Sequence, residues 1–375
     1  MYFRDITMEN GLSSNHVQCI AQDHQGFMWF GASGLHRYDG NEFIVYKNDP
    51  NDPESISSNS VISILEDSKA TLWIGTSTKG LNCFDKERQK FIVYTNDEND
   101  STSISSDQLV SAIYEDRQGQ LWIGTSDGLN RYDGENDHFI RYTHSMVDSS
   151  SIPPEGITCI YEDSRNNFWI GTRGGGMVLF DRETRKAIHF KHNSKNPKSI
   201  SSNFIQSISE DNSGMLWVGT ENGYDRCRFS GYTAFFEHYR KGAVNYISSK
   251  VFRLFERKGS SGLMNAIPNA DFIDNRGNIW IGTKYSGVKY YNTLQTAFNT
   301  YKYQHGDLDG LKNSSVRAIH KKSDGNLWIG VDHGGLHLYN RSKNTFTHVP
   351  LDPQAPANPF DENIHAIEED SHGDL

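Results

Sequence analysis

Short apolar runs broken by polar turns recur along this chain in one fixed order. In the clearest copy, Val61-Ile62-Ser63-Ile64-Leu65 leads into the tight polar stretch from Asp67 to Thr71. Then come Leu72-Trp73-Ile74-Gly75-Thr76, Leu81-Asn82-Cys83-Phe84-Asp85 and Phe91-Ile92-Val93-Tyr94. Runs rich in β-branched and aromatic side chains and bounded by turn residues predict β-strands. Sister copies place Gly26, Gly119, Gly214, Gly277 or Gly325 in the first turn, where a left-handed residue suits a hairpin. The expected product is one sheet of four short antiparallel strands per copy. Alternation puts Trp73 and Gly75 on one face of the second strand and Leu72, Ile74 and Thr76 on the other. Both faces are apolar, which fits a sheet covered on both sides. A large ring beside a bare glycine lets the neighbouring sheets approach closely.

All seven tryptophans, Trp29, Trp73, Trp122, Trp169, Trp217, Trp280 and Trp328, occupy this one position. Their spacings are 44, 49, 47, 48, 63 and 48 residues. A period of roughly 40–50 residues with four strands per repeat predicts an all-β, seven-bladed β-propeller. The tryptophans are read as core, with sugar-stacking platforms as the rival. Polar links join the blades, and Ile56, Ile104, Ile152 and Ile200 recur in them as expected core anchors. The long spacing marks an irregular repeat, with Tyr224 to Phe229 as its third strand and Arg257 to Pro268 as an insertion.

Phe3-Arg4-Asp5-Ile6-Thr7 reads as an outer strand without its own first three. It is expected to complete the Trp328 blade, closing a ring over residues 1–342. Thr345 to Val349 would then open a second propeller over residues 343–375. The rival is that Phe346 completes its own blade. An eighth repeat begins at Asn363 and stops where a tryptophan is due, so the chain is expected to be a piece of a longer protein.

Charge narrows the function. Lysine plus arginine is 37 and aspartate plus glutamate 47, a net charge of −10, which argues against nucleic acid or an anionic membrane as partner. No apolar run approaches the ~18 residues of a membrane span. Met1-Tyr2-Phe3-Arg4 is not a signal peptide, so the chain is either cytosolic or without its targeting segment. Cys19 and Cys159 hold equivalent places three repeats apart, too far for a disulfide, and are expected to be buried thiols. His333 and His337 have zinc-pair spacing, but along a strand four residues span roughly 13 Å. His189 and His192 lack a third ligand. No metal and no cofactor are expected.

Asp67, Asp116, Asp163 and Asp211 repeat blade by blade and are read as turn formers. A glycosidase needs two positioned carboxylates, and no unrepeated acid pair stands out. No catalytic residue is expected. The loops between second and third strands fall on one face with the links. Three depart from the stereotype: Arg173-Gly174-Gly175, Lys284-Tyr285-Ser286 and Asp332-His333-Gly334. Arg173, Lys284, Tyr285, Asp332 and His333 are therefore the candidate ligand-binding residues, for a polar or anionic sugar, with solvated loop tips as the bland reading.

The pattern Glu115 to Thr125 followed by Gly128 to Asp133 resembles the two-component regulator propeller family. The opening Asn10 to Asn15, then Gly26 to Gly31 and Arg37 to Gly40, looks like the start of such a sensor region. The resemblance implies the extracytoplasmic, periplasmic sensor of an inner-membrane hybrid histidine kinase, responding to an oligosaccharide and controlling glycan-utilisation genes. It implies as partners a second propeller, further downstream domains and a homodimer in the full-length sensor. The kinase itself is not in this chain. A protein-interaction scaffold, or a propeller glycosidase or lyase, are the alternatives.

Overall fold

The computed structural model describes residues 3–211, 213–230, 233–239, 268–292, 301, 303, 310–322, 324–341, 343, 345–350, 363–370 and 375. The chain divides into two compact units, Met1–Gln295 and Thr296–Leu375. Among the described residues there are seven four-stranded antiparallel sheets, each carrying one tryptophan: six in the first unit and one in the second. The Trp73 sheet is typical, with strands Val61–Glu66, Leu72–Thr76, Leu81–Asp85 and Lys90–Tyr94. The Trp217 sheet is equally regular, its third strand a long Gly223–Ser230. Most of the expected insertion lies outside the described residues.

The Trp29, Trp73, Trp122 and Trp169 sheets each bury both faces. Trp73 packs forward on Val110, Leu121 and Ile123 of the Trp122 sheet. Leu72 and Ile74 pack backward with Trp29 and Cys19. The same division gives five apolar layers in the first unit, running from the Trp280 sheet through Trp29, Trp73, Trp122 and Trp169 to Trp217. The glycine two residues after the tryptophan sets the spacing. A Cβ on Gly75 would lie 2.1 Å from the Val110 carbonyl oxygen, and one on Gly124 would lie 2.4 Å from Ile157 Cγ2. Ile56, Ile104, Ile152 and Ile200 anchor the links, each at most 2% exposed.

Closure differs from the sequence expectation. The N-terminal strand Arg4–Ile6 pairs with Val288–Tyr291 of the Trp280 sheet, placing Asp5 opposite Lys289. The Trp328 sheet is completed by its own Thr345–Val349. Packing decides the matter. Ile6 is buried in the layer formed by Val17, Phe30, Trp280 and Val288, so the N-terminal strand belongs beside the sheet that touches the Trp29 sheet.

Two polar devices repeat with the sheets. The residue ending the first strand accepts the hairpin N–H of the preceding sheet. Glu66 takes it from His24, Glu115 from Ser68, Glu162 from Arg117, and Glu210 from Ser164, over 2.5–2.9 Å. The second device ties each link to the third strand. His36, Asn82, Asn130 and Asp225, all fully buried, accept the backbone N–H of Ser13, Ser57, Ser105 and Ser201 over 2.7–3.0 Å. In the Trp169 sheet the link carries Pro153, which has no N–H, and the third strand carries Val178. Donor and acceptor disappear together. The four cysteines are free thiols, and burial pushes Cys19, Cys159 and Cys227 up to about 12.

Candidate functional site

In the first unit, Arg173, Lys284 and Tyr285 sit in second-to-third-strand loops and are exposed. Arg173 rests over the Phe204 ring at 5.8 Å and bridges to Phe204 through its backbone. Lys284 lies 5.4 Å from the centre of its neighbour Tyr285. Arg173 belongs to the Trp169 sheet and Lys284 to the Trp280 sheet, at separate places in the packing order. In the second unit, Asp332 pairs with Arg317 at 2.8 Å, which holds its carboxyl below the usual range. His333, at φ 50°, donates its backbone N–H to Asn363 over 2.7 Å. The structure thus gives the five residues local partners on three different sheets.

The opposite side, built from hairpins joining first to second and third to fourth strands, is where sequence reasoning stopped short. There the repeated aspartate does more than form a turn. Asp67 Oδ1 accepts the N–H groups of Lys69 and Thr71 at 3.0 and 2.8 Å, while Oδ2 accepts the Trp73 indole N–H at 2.8 Å. Six repeats make this aspartate–indole bond, at 2.8–2.9 Å. Burial alone would raise Asp211, but hydrogen bonds from Ser213 and Trp217 outweigh it and hold its carboxyl well below the usual range. The signal was in the sequence: aspartate precedes tryptophan by six residues in six copies, and Lys322 replaces it in the seventh.

Between neighbouring sheets the hairpins fan apart and leave grooves. One of about 860 Å³ lies between the Trp122 and Trp169 sheets, lined by Gln118, Gln120, Arg131, Asn166, Phe180 and Lys186. Its wall is fixed by Arg182, whose guanidinium bonds Asp116 Oδ2 at 2.7 Å and Glu162 Oε1 at 2.6 Å. Both acid side chains are 1% exposed, and the guanidinium stacks on Phe168 at 5.0 Å. A desolvated forked pair of this kind is rigid, and losing either side would strand a buried charge. A groove of about 740 Å³ lies between the Trp73 and Trp122 sheets, and one of about 420 Å³ between the Trp280 and Trp29 sheets. Among the described residues no group of three or more His, Cys, Asp or Glu could hold a metal ion.

Four-stranded sheets stacked face to face, one tryptophan per sheet, with the N-terminal strand finishing the Trp280 sheet, define an all-β repeat protein laid out as propeller blades. Six segments, residues 11–34, 55–78, 104–127, 151–174, 199–222 and 310–333, match the two-component regulator propeller family. The extracellular domain of the hybrid two-component system BT3049 from B. thetaiotaomicron is similar over 93% of this chain, with 25% identity and a TM-score of 0.51. That of BT4673 from the same organism covers 92%, with 19% identity and a TM-score of 0.45. A stretch of 56 residues is 43% identical to histidine kinase P4 of Formosa agariphila. The chain spans 55% of the BT3049 domain, and the matched stretch is 4% of the kinase. No helix among the described residues is long and apolar enough to cross a membrane.

Proposed function

We propose that this chain is the ligand-sensing part of the extracytoplasmic region of a membrane-bound hybrid two-component sensor kinase. Its ligand is an oligosaccharide, and the signal it passes on controls genes for glycan use. The observation that carries this reading is the likeness to the BT3049 extracellular domain over 93% of the chain. The chain works by binding. Its repeated aspartates are committed to hairpin amides and indoles, which suits a rigid sensor and leaves them unsuited to proton transfer. The full sensor is a homodimer with further domains beyond this chain.

Calorimetric titration of the intact chain with a panel of plant, algal and animal oligosaccharides tests the ligand class. A reporter gene driven by the full-length sensor tests the signal. Saturable binding of one glycan, matched by induction with the same glycan, is the expected result. A protein partner binding while every glycan fails would replace the sensor reading with that of a scaffold.

A further inference from the structure

Three blades of the first unit carry an arginine directly across from the second-strand tryptophan: Arg37 opposite Trp29, Arg131 opposite Trp122 and Arg226 opposite Trp217. Arg37 stacks on Phe27, its guanidinium 4.8 Å from the ring centre. Arg226 faces Glu237 across 3.9 Å. Arg131 is half-buried and its backbone is held in the sheet, yet among the described residues no hydrogen bond, ion pair or ring contact engages its guanidinium. Its guanidinium keeps contact with water and is not committed to a protein acceptor, so it is free to pair with an incoming anion.

Cross-strand partners share a face of the sheet, so Arg131 lies with Trp122 on the side of the Trp169 blade. That side opens into the groove of about 860 Å³, within the size range of small-ligand sites. Lys186 stands on the opposite wall, the amides of Gln118 and Asn166 line the rim, and Trp122 and Phe180 supply apolar surface. Of the acids nearby, Glu183 at the exposed rim has a free carboxylate, and the others are engaged. Asp116 and Glu162 hold Arg182, and Asp181 accepts the N–H groups of Glu183 and Thr184. Arg131 also borders the neighbouring groove of about 740 Å³ with Lys69, but five acids, Asp67, Glu115, Asp133, Glu135 and Asp137, outnumber the two cations there and disfavour an anion. On the link face, Arg173 and Lys284 are exposed and stacked on rings.

We propose that the groove between the Trp122 and Trp169 blades is the saccharide site. Its ligand is an acidic oligosaccharide whose carboxylate or sulfate group lies between Arg131 and Lys186. This inference rests on the oligosaccharide-sensing reading and adds the place and the charge.

Titration of the intact chain with a tetrasaccharide of galacturonic acid, a sulfated galactose tetrasaccharide and a neutral galactose tetrasaccharide tests it. The two acidic probes separate carboxylate from sulfate as the recognised group. Binding of at least one acidic probe, weakened by salt, with none of the neutral one, is expected. Arg131→Leu should weaken it by about tenfold or more, the loss of one charge-assisted fork. Leucine already fills this place as Leu179 and Leu338, so the variant should melt with the wild type. Arg131→Lys should restore part of the affinity. Acidic binding untouched by Arg131→Leu would overturn the site while leaving oligosaccharide sensing intact. Equal affinity for the neutral probe would overturn the role of charge. Failure of all three probes while another glycan binds would overturn this inference alone.

Discussion

Asn275 donates its backbone N–H to Gln22 Oε1 over 2.9 Å, joining residues 253 positions apart. It is the same bond that Ser68 makes to Glu115 and Ser164 makes to Glu210 between consecutive blades. The Trp280 blade therefore precedes the Trp29 blade in the stacking order, whatever their order in the chain. The N-terminal strand is fixed by that choice.

Removing residues 1–6 should then unfold the first unit more easily. The deletion takes away the buried Ile6 and the Asp5–Lys289 pair along with a whole outer strand. A drop on the order of 3 kcal/mol in unfolding free energy is expected, read from urea curves. An unchanged midpoint would mean that the Trp280 sheet stands on three strands.

The aspartate–indole bond predicts a loss and a gain. Asp67→Ala removes three hydrogen bonds from one hairpin and should cost about 2–4 kcal/mol. In the second unit Lys322 stands where the aspartate belongs and pairs with Asp324 at 2.9 Å. Exchanging the two charges, as Lys322→Asp with Asp324→Lys, rebuilds the order of Asp67 and Lys69. The double variant should gain roughly 1 kcal/mol, measured by thermal unfolding.

Glycine spacing gives a ranking. Gly75→Ala drives a methyl group into the Val110 carbonyl, backbone that cannot turn away. Gly124→Ala meets the Ile157 side chain first. Both variants should be destabilised by more than about 1 kcal/mol, Gly75→Ala the more severely. Ile157→Ala should rescue part of Gly124→Ala in a double-mutant cycle. Additive losses in that cycle would place the strain elsewhere.

His36 predicts a pH dependence. Burial lowers its pKa to about 4, against 6.5 for the free side chain, and its neutral Nε2 accepts the Ser13 N–H. Between those values the unfolded chain binds the extra proton, so stability rises with pH across the interval and falls on acidification. His36→Asn, borrowing the residue of Asn82 and Asn130, keeps the acceptor and removes the titration. It should flatten the acid limb by on the order of 2 kcal/mol between pH 7 and pH 4, followed by denaturant unfolding at each pH. Parallel curves for variant and wild type would count against it.

Much of the fold was legible because tryptophan, glycine and the apolar runs each report a local requirement: a strand, a close approach, a buried face. Strand bounds around Trp73 fall within about a residue of expectation for that reason. Closure was not legible in the same way. The strand at Arg4 pairs according to which sheet packs on Trp29, and that is a long-range relation. One local clue existed: Asn340 to Thr345 has the same short spacing as Asp85 to Lys90, so Phe346 already had a place in its own blade. The loop residues Arg173, Lys284 and His333 stood out by composition. Arg131 did not, because its oddity lies in lacking a partner that its sisters have, and partners are invisible in a sequence.

The pairing of Pro153 with Val178 bears on how such a chain can be recombined. A serine in the link is held by a side chain in the third strand of the sheet that follows it, as Ser57 is by Asn82. The natural unit of exchange therefore begins at the link and ends after the fourth strand. A chimaera cut between link and first strand would set Pro153 against an asparagine, or a serine N–H against Val178, and bury an unanswered polar group. Cut before the link, blades should transplant between positions as intact modules.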